Sequence, residues 1–293
     1  MEREKHTKSG RLLEVDFFPV WADGRRMPTR APKTKRSTAE QAKYNQKKAI
    51  KNFVRLVNAN FDTGDNILTL TYIADRAPQT EERARRDIQN FFRRAKTKRA
   101  SELRRISELL EANPQDKELR KRKKKLEEPF RYMYRIGQQI YKTGKNKGRS
   151  NWHFHIFLTG GIDRDALEDL WPLGVRVNAD RYQPERFGPE AAAKYFAKEE
   201  EGRRIFGFSK NLQRPKQPKP KDGKITRRGV EKLAKERADD REYWERRYKG
   251  YRFIRCFPRY NNYNGHWYLS VIMYKATRGE ELPPWEVDEW NDE

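Results

Sequence analysis

The chain has 293 residues, with 67 Lys and Arg against 43 Asp and Glu, for a formal net charge of +24. Hydrophobic residues make up only 35% of it, yet aromatics reach 12%, which argues against a disordered chain and for an ordered core inside a polar envelope. No apolar run approaches the roughly 18 residues of a membrane span, no apolar segment follows Met1–Lys5 as a secretory signal requires, and the single cysteine, Cys256, excludes an intramolecular disulfide, a zinc finger and an iron–sulfur cluster. These features predict a cytoplasmic protein with a polyanionic partner, for which nucleic acid is the usual candidate.

Residues 1–36 are rich in Lys, Arg, Pro and Gly without sustained periodicity, and read as a basic, irregular N-terminal arm. Ser37 and Glu40 form a capping-box pattern, after which Ile50, Phe53, Val54 and Val57 recur at helical spacing to about Asn60. Asn66–Tyr72 is a β-branched, apolar run and reads as a buried strand. A helix begins after Pro78 with Ile88, Phe91, Phe92 and Ala95 on one face. Helix continues over 101–127, with a break at Asn113–Pro114. The Arg120–Lys125 run is a solvated face or a phosphate contact.

Phe130–Tyr141 and Trp152–Leu158 read as strands of a hairpin turning at 143–151. A short helix is expected at 163–171 and another from Pro189 to about Glu201. Residues 213–228 look like a Pro/Lys-rich linker and 229–247 a charged helix. Two aromatic strands then flank Asn264-Gly265, the strongest hairpin signal in the chain.

Two segments carry candidate chemistry. On a strand, His153 and His155 point to one side while Trp152, Phe154, Ile156 and Leu158 point to the other, so two imidazoles about 7 Å apart at Cβ share a face and can converge on one ion. The plain alternative is a pair of histidines satisfied by hydrogen bonds at a sheet surface. Too few other histidines exist for a multi-histidine site, which leaves oxygen ligands and a hard ion such as Mg²⁺ or Mn²⁺ held partly by a substrate phosphate. In the 189–201 helix, Tyr195 and Lys198 share a face one turn from Ala191 and Ala192. A tyrosine nucleophile needs such a setting, because small neighbours admit a nucleic-acid backbone and Lys⁺ favours the phenolate. An ordinary amphipathic helix with a boundary tyrosine would carry the same residues.

Three segments occur in order: Leu68-Thr69-Leu70-Thr71-Tyr72, His153-Phe154-His155 and Tyr195-Phe196-Ala197-Lys198. Together they resemble the HUH (His–hydrophobic–His) endonucleases that initiate rolling-circle replication, in particular phage and plasmid replication-associated proteins. Gly207–Pro215 is similar to a Ser-x-x-Leu-x-x-Pro stretch that often follows the tyrosine helix there, so the likeness spans roughly 38–215. The resemblance implies an α+β fold, a central antiparallel sheet flanked by helices with a helical insertion and basic tails. It divides the chain into the arm (1–36), an endonuclease domain (37–212), the linker (213–228) and a C-terminal helix and hairpin (229–293) that could pack on the main sheet.

It further implies that His153 and His155 hold Mg²⁺ or Mn²⁺ at the scissile phosphate of single-stranded origin DNA, and that Tyr195 attacks to form a 5′-phosphotyrosine beside Lys198. Gln138 or Gln139 would stand where many relatives carry a Glu ligand. Thr69, Thr71, Lys194, Arg149 and Lys210 would contact DNA. Position 191 is Ala, leaving one tyrosine, and no Gly-x-x-x-x-Gly-Lys-Ser/Thr motif occurs, so a helicase and polymerase would come from a bacterial host. A single-tyrosine transposase or mobilisation relaxase shares this chemistry. A non-catalytic nucleic-acid-binding protein, stacking bases on strands 251–274, would share the charge.

Overall fold

The computed structural model describes residues 1–21, 39–140, 145, 147–148, 150–174, 177–184 and 206–275. The first half of the chain supplies β1 (Glu2–Ser9), β2 (Leu12–Pro19), α1 (Ala39–Asn60), β3 (Asn66–Thr71), α2 (Glu81–Ala112) and α3 (Lys117–Glu127). Next come β4 (Tyr132–Ile140), β5 (Ser150–Leu158), α4 (Arg164–Asp169), β6 (Val177–Arg181), β7 (Phe206–Phe208) and β8 (Lys221–Asp222). The last described elements are α5 (Arg227–Glu236), α6 (Arg241–Arg247), β9 (Arg252–Asn261) and β10 (His266–Tyr274). The class is α+β with two antiparallel sheets, and no helix among the described residues is long and apolar enough to cross a membrane.

The chain divides into two compact units. One is built from 60–184 and 206–212 of the described residues, around the sheet β6–β3–β5–β4–β7. Leu68, Leu70, Ile136, Phe154 and Ile156 line one face of that sheet and pack on Ala84, Ile88, Phe91, Phe92 and Ala95 of α2. The helical spacing in α2 and the two-residue alternation in the strands are the same apolar stripe seen at two periods. Thr80 caps α2 by accepting from the Arg83 amide, and Asp116 caps α3 through the Leu119 amide, so the helices part at the expected Asn113–Pro114 break.

Arg99 of α2, only 4% exposed, joins three pieces of this unit. Its guanidinium donates to the carbonyls of Lys125, Leu126 and Glu128 at the end of α3, and to those of Thr159 and Gly160 just after β5. The last carbonyls of a helix lack intrahelical donors, so one cation satisfies groups that would otherwise be buried unpaired.

The other unit is built from the two ends of the chain, 1–59 and 213–275 among the described residues. Its sheet runs β8–β1–β2–β10–β9. The structure therefore corrects the expected irregular arm over residues 2–19, which form a hairpin whose Leu13, Val15 and Phe17 are buried against α5 and α6. The turn needs Gly10, at φ +58, because a Cβ there would lie 1.9 Å from the Asn58 carbonyl oxygen. The boundaries also differ from the expected 37–212 domain, since α1 up to residue 59 belongs with the chain ends. Ser37 of the expected capping box lies outside the described residues.

The expected linker is pinned rather than free: Lys216 and Lys8 exchange two backbone hydrogen bonds, and β8 pairs with β1. The expected single helix over 229–247 is two, because Asp240 restarts the helix by accepting from the Tyr243 amide while Trp244 Nε1 donates to the carbonyls of Arg237 and Ala238 in the break. The β9–β10 hairpin turns at Asn264-Gly265 as expected and pairs with β2, not with the first unit's sheet.

Replacing Arg99 with Met keeps bulk but strands five carbonyls, three of them in buried bonds and two in half-buried ones. The expected loss is at least about 3 kcal/mol in urea unfolding of the full chain, with an unchanged denaturant slope. A loss below about 1 kcal/mol would show that water can reach these groups.

Candidate active site

Strand β5 lies between β3 and β4, with Thr69 opposite His155, Thr71 opposite His153, Arg135 opposite His155 and Gly137 opposite His153. Directly opposed residues point to the same side of a sheet. The face away from α2 therefore carries two rows, Thr69–His155–Arg135 and Thr71–His153–Gly137. A third row, Ile67–Phe157–Met133, is closed over at Phe157 by Phe61 and Tyr182, with ring centroids 5.6 and 5.5 Å away. The polar rows thus abut an apolar floor.

The two imidazoles meet edge to face, with centroids 5.1 Å apart and planes at 76°. Gly137 makes room for one of them: a Cβ at that position would lie 2.3 Å from His153 Nε2 and 2.5 Å from Cε1. Glycine weakens a strand interior unless something approaches the backbone closely, and here the His153 ring does. His155 is buried, and its Nδ1 lies 3.1 Å from the Thr69 hydroxyl oxygen. With Nδ1 protonated and donating to that oxygen, the lone pair sits on Nε2, the arrangement by which a neighbouring group orients a ligand histidine. Burial, then the neighbouring His153 and Arg135, push the His155 pKa down to about 4, so the ring is neutral and available as a donor at physiological pH.

Three features fit a nitrogen pair for a divalent ion: a neutral His155, a hydroxyl orienting it, and a glycine seat under His153. Among the described residues no group of three or more His, Cys, Asp and Glu converges, so the remaining ligands would have to be oxygens of other kinds. Gln138 does not supply one. It pairs with Trp152 and points to the α2 side, because neighbouring residues of a strand alternate faces. Gln139 pairs with Asn151, and its side chain lies outside the described positions.

The structure places Thr69 and Thr71 beside the histidines as the sequence predicted. Lys210 is exposed, just beyond β7, whose Phe208 stands opposite Met133; it lies past the Phe157 row, away from His153. Arg149, Lys194, Tyr195 and Lys198 lie outside the described residues. Two participants escaped the sequence reading. Gly137 was legible as a glycine interrupting a strand. Arg135, 4% exposed and level with His155, was legible only once the parity of β4 was counted from Tyr134 and Ile136 on the core side.

Two measurements check this arrangement. Gly137→Ala is expected to displace the His153 ring and, like Thr69→Val, to weaken Mn²⁺ binding by calorimetry about tenfold or more while the circular dichroism stays native. Unchanged affinity in both would remove the pair from metal binding. Because the folded chain excludes a proton from His155 that the unfolded chain accepts below its ordinary 6.5, stability should fall as pH drops from 6.5 toward 4, by up to about 3 kcal/mol. In His155→Gln that part of the urea-midpoint profile should flatten. No family model, curated protein or solved structure matches the chain.

Proposed function

We propose that this chain is a metal-dependent nickase and strand transferase of the HUH type, acting on single-stranded origin DNA to start rolling-circle replication. The observation that carries the reading is the β5 face, where His153 rests on Gly137 and a neutral His155 is oriented by Thr69. A bare pair of surface histidines would need neither the glycine seat nor the oriented, deprotonated ring. A bound Mg²⁺ or Mn²⁺ would supply Lewis-acid polarisation of the scissile phosphate.

In this reading the chain's own groups do the rest. Tyr195 Oη attacks phosphorus as its phenol proton passes to solvent, the bond from phosphorus to the 3′ oxygen breaks, and that oxygen takes up a proton as a free 3′-OH. The product is a 5′-phosphotyrosine, and attack by a 3′-OH on it reverses the sequence and seals the strand. Lys198, one helical turn from Tyr195, stabilises the phenolate and the developing phosphoryl charge. Thr71, in the His153 row, and Arg149 and Lys194 from the sequence supply contacts to the DNA backbone, while Arg135, buried level with His155, holds its charge next to that ring. The 3′-OH primes a polymerase, and with no nucleotide-binding loop motif in the chain, helicase and polymerase come from the bacterial host in whose cytoplasm the protein acts.

The test is a covalent-adduct assay with a library of labelled single-stranded oligonucleotides and Mn²⁺, read on denaturing gels. Wild type is expected to form an adduct that EDTA prevents, and both Tyr195→Phe and His153→Ala are expected to lose at least about a hundredfold in its rate. Full adduct formation by Tyr195→Phe would overturn the nucleophile. Retention of activity by His153→Ala would overturn the metal site. No adduct from any sequence in the library would leave nucleic-acid binding without catalysis as the better reading.

A further inference from the structure

The unit built from the chain ends has a sheet with unlike faces. Toward α5 and α6, Val15, Phe17, Leu269, Val271 and Met273 pack with Val230, Leu233 and Trp244. On the opposite face Arg255, Phe257 and Arg259 follow one another at two-residue steps along β9, with Tyr268 and Ser270 beside them on β10. A two-residue step spans about 7 Å, so cation, ring and cation alternate along an edge strand.

These side chains are already arranged in pairs. The Arg255 guanidinium lies over the Phe257 ring at 4.8 Å, and the Arg259 guanidinium over the cross-strand Tyr268 ring at 5.6 Å. An arginine laid on an aromatic ring keeps its N–H donors free around the rim and offers its outer plane to another flat group. Among the described residues neither arginine forms an ion pair. The acids of this face already have partners: Arg55 donates to both carboxylate oxygens of Glu14, and the Ser270 hydroxyl, on the same face, donates to Asp16. Arg259 is exposed, as is Tyr263 at the hairpin tip, 99% open to solvent.

We propose that this outer face of β9 and β10 binds single-stranded nucleic acid, independently of the histidine site. Bases stack on the guanidinium planes held by Phe257 and Tyr268, and the backbone phosphates take the remaining Arg255 and Arg259 donors. Charge complementarity selects a polyanion, and the flat stacked surfaces select unpaired bases over duplex, whose bases are already stacked.

The experiment is fluorescence anisotropy of the full chain with a labelled oligothymidylate of about 20 nucleotides across a salt series, without divalent metal. Arg255→Ala/Arg259→Ala is expected to weaken binding at least about tenfold and to flatten the salt slope by about 1.4, about 0.7 for each lost phosphate contact. Lys224→Ala/Arg228→Ala removes the same charge from exposed positions around the start of α5 and should change affinity less than about twofold. Arg255→Lys/Arg259→Lys should keep the slope yet lose several-fold in affinity, because lysine has no plane to stack on. Equal losses in the two alanine pairs would overturn the site in favour of diffuse charge, and wild-type binding by the lysine pair would overturn the stacking. Displacement of the oligonucleotide by polyglutamate at matched charge would overturn it in favour of an acidic peptide. Covalent-adduct formation reads the histidine site separately: a wild-type adduct together with undiminished oligonucleotide binding by the Arg255→Ala/Arg259→Ala chain sinks this proposal alone, and binding at this face without any adduct sinks the nickase reading alone.

Discussion

The pairing register of β5 with β3 and β4 is the constraint on which the candidate chemistry depends. Trp152, Phe154, Ile156 and Leu158 are buried on the α2 side, each contributing about 1.5–3 kcal/mol for leaving water. A slip of one residue would turn these four side chains outward and drive both imidazoles against α2. The histidines are thus held in place by the burial of their sequence neighbours. Thr69 and Gly137 reach their histidines through the same register, so orientation, seat and ligand pair arise from one set of backbone hydrogen bonds.

Part of the large positive charge is structural. Arg99 gathers five carbonyls, and Arg247 donates to Glu4, which also accepts from the Tyr248 hydroxyl. Although burial pushes the Glu4 pKa up, its bonds to His6 and Arg247 outweigh this and hold it down at about 2, so this carboxylate stays ionised inside the unit. Removing one member of such a set leaves a buried partner unsatisfied, which costs more than the pair contributes over an apolar replacement. The cations at the surface act on a different scale, in water and under salt screening.

Much of the β3–β7 unit, and one turn of the other, could be read from the sequence. The strands at β3, β4 and β5, the long helix α2 and its stop at Asn113 follow from clear periodicities and breakers, and so does the turn at Asn264-Gly265. The strand β1 was hidden because two of its inward residues are Glu2 and Glu4, which find partners in His6 two residues along the strand and in Arg247 and His266 from the far end of the chain. A pattern of apolar alternation cannot register a strand whose buried face is ionic. Of the two alternatives Gln138 and Gln139, the first had suitable chemistry, but its parity along β4 puts it with Ile136 on the core side. Thr69 and Thr71 were placed correctly since they alternate with Leu68 and Leu70, which only one arrangement can bury.

The end-built sheet also sets an order of events during synthesis. Strand β2 lies between β1 and β10, and β10 comes from residues 266–274. At ~5–20 residues per second, the ribosome takes ~12–50 s to travel from β2 to β10. Throughout that interval the first hairpin exposes Val15 and Phe17 with no partner strand on that side, while the β3–β7 unit can complete its own core. The N-terminal hairpin is therefore the segment most exposed to holding chaperones and to mispairing with other nascent chains. Its charged β1, with Lys5 and Lys8, guards only the opposite edge of the hairpin, so the β2 edge that waits for β10 has no such protection.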